Sequence, residues 1–538
     1  MKPTTAIGTA ALLIILLAAE LFISEKYTSM TWDEPQHIAA GYSKIMTGDF
    51  RMNTEHPPLM HFLEGLPLLI LKPKLTLDES WNNKNMMEFT RKFFFVNNKN
   101  PRELLTYGRI PIILLTISLG TIVFLWTKKL FGINAALIAL TLYTFEPNVL
   151  AHGILATTDM GFAFFGTLAL YFYWNFFQKP TTNNLILAAI TMGLAQLTKY
   201  TAIFLWPIYF IIILTTTPKQ KIRFHLKSLL FIIVISTLII NTAYLFQGSF
   251  IPIKDSMLAD KTLDKSFTKI LENKAINFIA EKIPSPLPYY YIKGLGFVTY
   301  EGARNNATTI FGIQYPQGVW WYYILAFTAK TTLPFIILTI ISLLLIKKHH
   351  QHWQFTLLPA ATIFIVLSLM TKQAGIRYIL AIFPLLTIWV AGQISHRNIL
   401  KNNMFTTGIL LIITLHAAST TAQFPNYLSY YNEFVMAENG WKYFTDSNTD
   451  WGQDFDKLKR YVSCRPDTKI AYFGTQDLAF YGLDKKEADE NCNKELLAIS
   501  ATNTADNKFS WLKKYEPTGK IGNSILLYNI TDCTIKNG

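Results

Sequence analysis

Eleven long apolar runs, beginning near residues 5, 104, 133, 156, 184, 201, 228, 330, 353, 376 and 404, decide what this chain can be. Each is about 17 to 22 residues long, enough for a helix to cross roughly 30 Å of hydrocarbon. Backbone groups in lipid must be paired within the segment, and no period-2 alternation of a barrel appears, so the runs predict helices. With 51% apolar and 14% aromatic residues in 538, most of the chain is assigned to the membrane.

The first run, Thr5 to Ile23, follows Lys2 and lacks a small-x-small cleavage site, which reads as an uncleaved first helix. Charge then sets the orientation. With the amino terminus inside, the short inner segments hold Lys2, Lys128, Lys129, Lys179, Lys219, Lys221, Arg223, Lys227, Lys347, Lys348, Arg397 and Lys401, and no acid. Short loops rich in Lys and Arg resist translocation, so the expected protein is a multi-pass protein of the plasma (inner) membrane, amino terminus cytoplasmic, carboxyl terminus extracytoplasmic. The net charge of +14 then reports topology and external basic residues, and nucleic acid is excluded as a partner.

Two domains are expected. Residues 1–423 form an α-helical polytopic domain of about eleven transmembrane helices, with external loops at about 25–103 and 248–329. Residues 424–538 form a small extracytoplasmic α+β domain, with β-like pieces such as Lys469–Phe473 and Ser524–Tyr528. Cys464, Cys492 and Cys533 all fall in this tail, where one disulfide would leave one thiol over and the spacing does not choose the pair.

The first run is followed by Thr31-Trp32-Asp33-Glu34-Pro35-Gln36-His37, and then by Glu55-His56-Pro57-Pro58. Asp159 opens the fourth run, Lys199 ends the fifth, and Arg109, Lys330 and Arg377 open the second, eighth and tenth. Ionisable groups at membrane depth are costly, and several of both signs on one outer face point to a site, although each cation alone could snorkel to lipid phosphates. A sugar linked through phosphate to a long isoprenoid has its cleavable bond at this depth. Asp33 could take the proton of an acceptor hydroxyl, and Lys and Arg could neutralise the departing phosphate. That division fits a single inverting displacement.

The same residues resemble a known family. Trp32-Asp33-Glu34-Pro35-x-His37-Ile38 with Gly41, Glu55-His56-Pro57-Pro58-Leu59, Ala156-Thr157-Thr158-Asp159, Gly193-Leu194-Ala195-x-Leu197-Thr198-Lys199-Tyr200-Thr201 and Arg377-Tyr378-Ile379-Leu380 look like the dolichyl-phosphate-mannose protein mannosyltransferase superfamily. That superfamily includes the bacterial aminoarabinose transferases and has the membrane glycosyltransferase architecture called GT-C. Pro425 to Glu433 and Asp446 to Asp454 resemble bacterial members with a short exported tail. The resemblance implies a polyprenyl- or dolichyl-phosphate sugar donor, with Asp33, Glu34 and Asp159 as catalytic carboxylates. It places Lys199 and Arg377 near the carrier phosphate, with Arg109 and Lys330 as looser assignments and Glu55 and His56 on the substrate side.

The chain also departs from relatives. No β-trefoil segment is recognisable, and Trp320-Trp321-Tyr322-Tyr323 lacks the acid of the oligosaccharyltransferase Trp-Trp-Asp-Tyr-Gly motif. Protein O-mannosylation and block N-glycosylation are therefore not the expected reactions, and the acceptor stays open among lipid, glycan and protein. No cofactor is required by the pattern, though Glu55 and His56 could bind a divalent cation. The rival class is a polytopic lipid or glycan transporter or flippase, which would favour inverted repeats that are not evident here.

Overall fold

The computed structural model describes residues 3–255, 272–303, 308–345, 352–395, 403–488, 491 and 495–531. Lys2, Lys347, Lys348, Arg397 and Lys401, and the cysteines 492 and 533, lie outside these residues. Cys464 is exposed.

A helix occupies each of the eleven apolar runs, but few are full-length spans. Four described helices are long and apolar enough to cross a membrane: Thr4–Tyr27, Pro101–Phe131, Lys219–Ala243 and Asn403–Thr421. A fifth crossing would be the pair Tyr322–Lys330 and Leu333–Leu344, bent by 118°. The runs near 133, 353 and 376 carry the shorter helices Ile133–Thr144, Leu357–Ser368 and Ile382–Ile394. The physical reason is visible at Ile133–Thr144. The chain leaves the helix at Phe145 because Pro147 forces Glu146 into extended geometry, and Glu146 then accepts from Asn148, whose side-chain amide also donates to the carbonyl of Lys330.

The helices pack as an integral membrane protein. Thr158–Gln178 lies against Thr182–Gln196, which lies against Ile222–Ala243, and Pro101–Phe131 lies against Ile133–Thr144. Large aromatics fill the interior, including Trp126, Trp389 and the stacked rings of Tyr173 and Tyr209, 3.7 Å apart. Leu12, Ile15, Leu230 and Leu344 are exposed, as side chains facing lipid tails are.

The segment expected as the first external loop is structured. Helix Glu34–Thr47 crosses helix Pro58–Gly65 so closely that a Cβ on Gly41 would sit 1.9 Å from the carbonyl oxygen of His61. Glycine at both 41 and 65 is therefore what brings the faces of these two helices into register.

In the tail, residues 425–454 pack on the helical body before a four-stranded sheet begins. Lys469–Ala471 pairs in parallel with Leu496–Ser500, which pairs antiparallel with Ile525–Asn529, itself antiparallel to Gly519–Ile521. Alternate residues serve opposite faces. Ile470, Ala498 and Leu527 meet Phe455, Leu458 and Val462 of helix Phe455–Cys464, while Leu497, Ile499 and Leu526 meet Phe509 and Leu512.

Candidate functional site

Four ionisable residues from distant parts of the chain form one alternating chain of charge. Asp33 Oδ2 accepts from Arg377 Nη1 at 2.8 Å, the same nitrogen lies 3.5 Å from Asp159 Oδ2, and Asp159 Oδ1 accepts from Lys199 Nζ at 2.5 Å. Each arrives by a local device. Asp33 stands just before helix Glu34–Thr47, and Asp159 is in the first turn of helix Thr158–Gln178, where the positive end of the helix dipole favours an anion. Lys199 is the extended residue between helix Thr182–Gln196 and the turn Tyr200–Phe204. Arg377 sits in the turn Ile376–Ile379, which is held by Ile376 N donating to Asn448 Oδ1 and Gly375 N donating to the Tyr322 hydroxyl.

Aromatic faces fix the two cations. Lys199 Nζ lies 4.0 Å from the centre of the Tyr378 ring, and the Arg377 guanidinium 4.1 Å from that of Trp451. Trp451 comes from the tail, whose backbone is joined to the first loop by Trp32 N donating to Trp451 O and by Trp32 stacking on Phe473 at 4.8 Å. The tail thus forms one wall of the site.

The cluster borders a cavity of about 670 Å³. Its lining combines the ionisable Asp33, Glu55, His56, Lys199 and Arg377, with His37 and Asn53, and the apolar Ile203, Phe204, Leu295, Val298, Leu367 and Met370. The side chain of Asp33 is 24% exposed and that of Asp159 only 1%, so Asp33 is the acid a ligand can reach.

Three expected site residues lie elsewhere. Glu34 is fully buried and accepts from Arg109 Nε and Nη2, each at 2.7 Å, from Thr31 N at 2.8 Å and from Ala156 N at 2.9 Å. Burial pushes its carboxyl up, but the Arg109 charge and these donors outweigh it and hold the group below the usual carboxylate range. Arg109 is equally buried and also donates to the carbonyls of Thr28 and Ser29. Glu34 and Arg109 therefore form a clamp behind the site, not part of the cavity wall. Lys330 donates to the carbonyls of Leu428 and Asn448 under the Tyr431 ring, which fastens the tail to the 118° bend. These cations have carbonyl and carboxylate partners where a lipid phosphate was expected.

The structure also adds residues that the spacing did not reveal. His37, on the turn after Asp33, lines the cavity and is pushed down to about 4 by burial, against the pull of Asp33 and Asp159. Burial likewise keeps His56 and His61 well below the ordinary histidine value. Trp451 and Tyr378 lay inside quoted motifs, but no charge pattern marked them as walls for cations.

Known proteins share this architecture. Residues 103–240 match the family described as dolichyl-phosphate-mannose-protein mannosyltransferase. A protein of Aquifex aeolicus, described as uncharacterized, is 30% identical over 122 residues, which is 22% of this chain and 24% of that relative's own length. The crystal structure of ArnT from Cupriavidus metallidurans in the apo state aligns over 97% of this chain and 98% of its own, with TM-score 0.53 and 11% identity. The same protein bound to undecaprenyl phosphate aligns over 98% and 99%, with TM-score 0.50 and 11% identity. The oligosaccharyltransferase of Archaeoglobus fulgidus, tethered to an acceptor peptide, aligns over 98% and 74%, with TM-score 0.51 and 12% identity. The fold is thus the GT-C fold, and the resemblance to the mannosyltransferase and aminoarabinose transferase superfamily rests on both a family match in the helical core and a shared architecture along nearly the whole chain.

Proposed function

We propose that this protein is a membrane glycosyltransferase that moves a sugar from a polyprenyl-phosphate carrier to an acceptor on the extracytoplasmic side of the plasma membrane. The observation that carries the reading is one cavity whose lining joins the charged Asp33, Lys199 and Arg377 to apolar side chains such as Phe204, Leu295, Val298 and Leu367. Such a lining suits a ligand with an anionic head and a hydrocarbon tail. The fold neighbour bound to undecaprenyl phosphate supports the same ligand class.

In this reading Asp33 is the general base. It takes the proton of the acceptor hydroxyl as that oxygen bonds to the anomeric carbon, while the bond from that carbon to the phosphate oxygen breaks and its electron pair leaves with the phosphate. Lys199 and Arg377 stabilise the charge that develops there. Asp159 is a positioning residue, holding both cations from beneath. Attack from the face opposite the leaving phosphate inverts the anomeric centre. A multi-span helical body with an external carboxyl-terminal domain beginning near residue 424 belongs to the same proposal.

The test uses purified protein, synthetic polyprenyl-phosphate sugars and mass spectrometry of glycolipids and glycans from cells with and without the gene. A product that disappears with the gene and with Asp33→Asn supports transfer. Movement of lipid across vesicles with no change in any glycan would favour the transporter class instead.

A further inference from the structure

The crossing of helices Glu34–Thr47 and Pro58–Gly65 collects three imidazoles beside the cavity. One ring nitrogen from each of His37, His56 and His61 lies within 4.8 Å of the other two. His37 and His61 are almost completely buried, and His37 Nδ1 and His61 Nε2 have no hydrogen-bond partner. Glu64, one turn beyond His61, is also fully buried with both carboxylate oxygens unpartnered, and its Oε2 lies 3.8 Å from His37 Nδ1. Buried polar atoms without partners are costly, and this many in one place need a common ligand.

We propose that His37, His56 and His61 form a binding site for a transition-metal dication of the zinc class, with Glu64 as its counter-charge. The donor set selects the metal: neutral imidazoles suit zinc, cobalt or nickel, whereas magnesium and calcium require oxygen ligands. Three nitrogens leave a fourth tetrahedral position for Glu64 or for an oxygen ligand from the cavity, which His37 and His56 line. Outer groups already orient two rings. His56 Nδ1 lies 3.3 Å from Asn53 Oδ1, so it carries the ring hydrogen and leaves Nε2 as the metal donor. His61 Nδ1 accepts from Lys44 Nζ at 2.7 Å, so a metal at the unpartnered Nε2 requires the ring hydrogen to move to Nδ1 and Lys44 to give up one proton and become the acceptor. Gly41 is part of the site because a side chain there would push apart the two helices that carry the ligands. The site stands independently of the transferase reading, since neither its ligands nor its test involves a sugar.

The experiment is metal binding by the tag-free full chain in detergent, stripped with a chelator and titrated with zinc alone, with cobalt absorption as the second readout. One zinc per chain and a tetrahedral cobalt spectrum are expected. His61→Asn and His37→Asn should each weaken zinc binding by about 100-fold or more, and Glu64→Gln by about 10-fold to 100-fold. Lys44→Met should tighten it, because a cation next to a ligand is removed. If a ligand variant unfolds, His56→Asn at the cavity rim, where little packing is lost, carries the same expectation. Failure of the wild-type chain to retain zinc at micromolar free metal would overturn the proposal. So would stoichiometric binding by a folded His37→Asn, His61→Asn double variant.

Discussion

Asp33 and Glu34 are neighbours in sequence and belong to different structures. Successive residues at a helix start point about 100° apart. Asp33 therefore faces the cavity and meets Arg377, while Glu34 turns inward and is enclosed by Arg109, Thr31 and Ala156. One acid is reachable and shares its cation with Asp159, and the other is spent on holding the first loop to the start of helix Thr158–Gln178. A charge at the right depth is not yet a catalytic charge. Which way it points decides between chemistry and architecture.

The largest expected effect comes from the inner member of the pair. Glu34→Ala leaves the buried Arg109 guanidinium with only Glu25, 3.5 Å away, as a carboxylate neighbour, a loss of about 3 kcal/mol by the usual cost of breaking a buried pair from one side. Thermal unfolding in detergent should show it, and the low folded yield should be shared by Arg109→Met. Wild-type stability in either variant would mean that the clamp is not structural and that the contrast between the two acids is wrong. Asp33→Asn should do the reverse: unfolding unchanged, carrier-lipid binding kept, and turnover lowered about 10²-fold to 10⁴-fold. Full turnover by that variant would remove Asp33 as the base. Arg377→Lys comes next, since an ammonium cannot span Asp33 and Asp159 while lying flat on Trp451. Binding of polyprenyl phosphate should weaken about tenfold, and unaltered affinity would move the phosphate away from Arg377.

Much of this was legible before any coordinates. Asp33, Asp159, Lys199 and Arg377 were all expected at one level near the ends of runs, because hydropathy reports depth, and the four side chains do meet in one line of ion pairs. Hydropathy does not report azimuth, so Arg109 and Lys330, at the same level, were read as phosphate ligands when one faces Glu34 and the other the backbone of the tail. It also cannot separate a span from a shorter helix: the run near 133 is as apolar as its neighbours, and it is Pro147, with Glu146 extended before it, that ends the helix. The histidine cluster was only partly visible. Glu55 and His56 were read as a cation site, but the partners of His56 are set by a glycine crossing between two helices, which no periodicity announces.

Asp450 sharpens the comparison, because it is buried as completely as Glu34 and has no arginine. Its carboxylate accepts only from neutral groups, including the amides of Gly452 and Thr502, each at 3.2 Å, and burial pushes it up to about 7. The sign is opposite to that at Glu34. A folded value above the unfolded one favours the protonated group, so Asp450 weakens the fold as pH rises from about 4 towards 7 and contributes little penalty below that window. The clamp at Glu34, with its folded value depressed, is at full strength above its unfolded value and is lost only as pH falls through the folded one. Asp450→Asn should therefore raise the melting temperature at pH 8 and change it little at pH 5, with a difference on the order of 1–2 kcal/mol once the lost second acceptor is set against the relieved charge. Melting curves of variant and wild type at the two pH values decide it. An equal shift at both would show that Asp450 is ionised throughout, and that nearby amides can substitute for the arginine that Glu34 has.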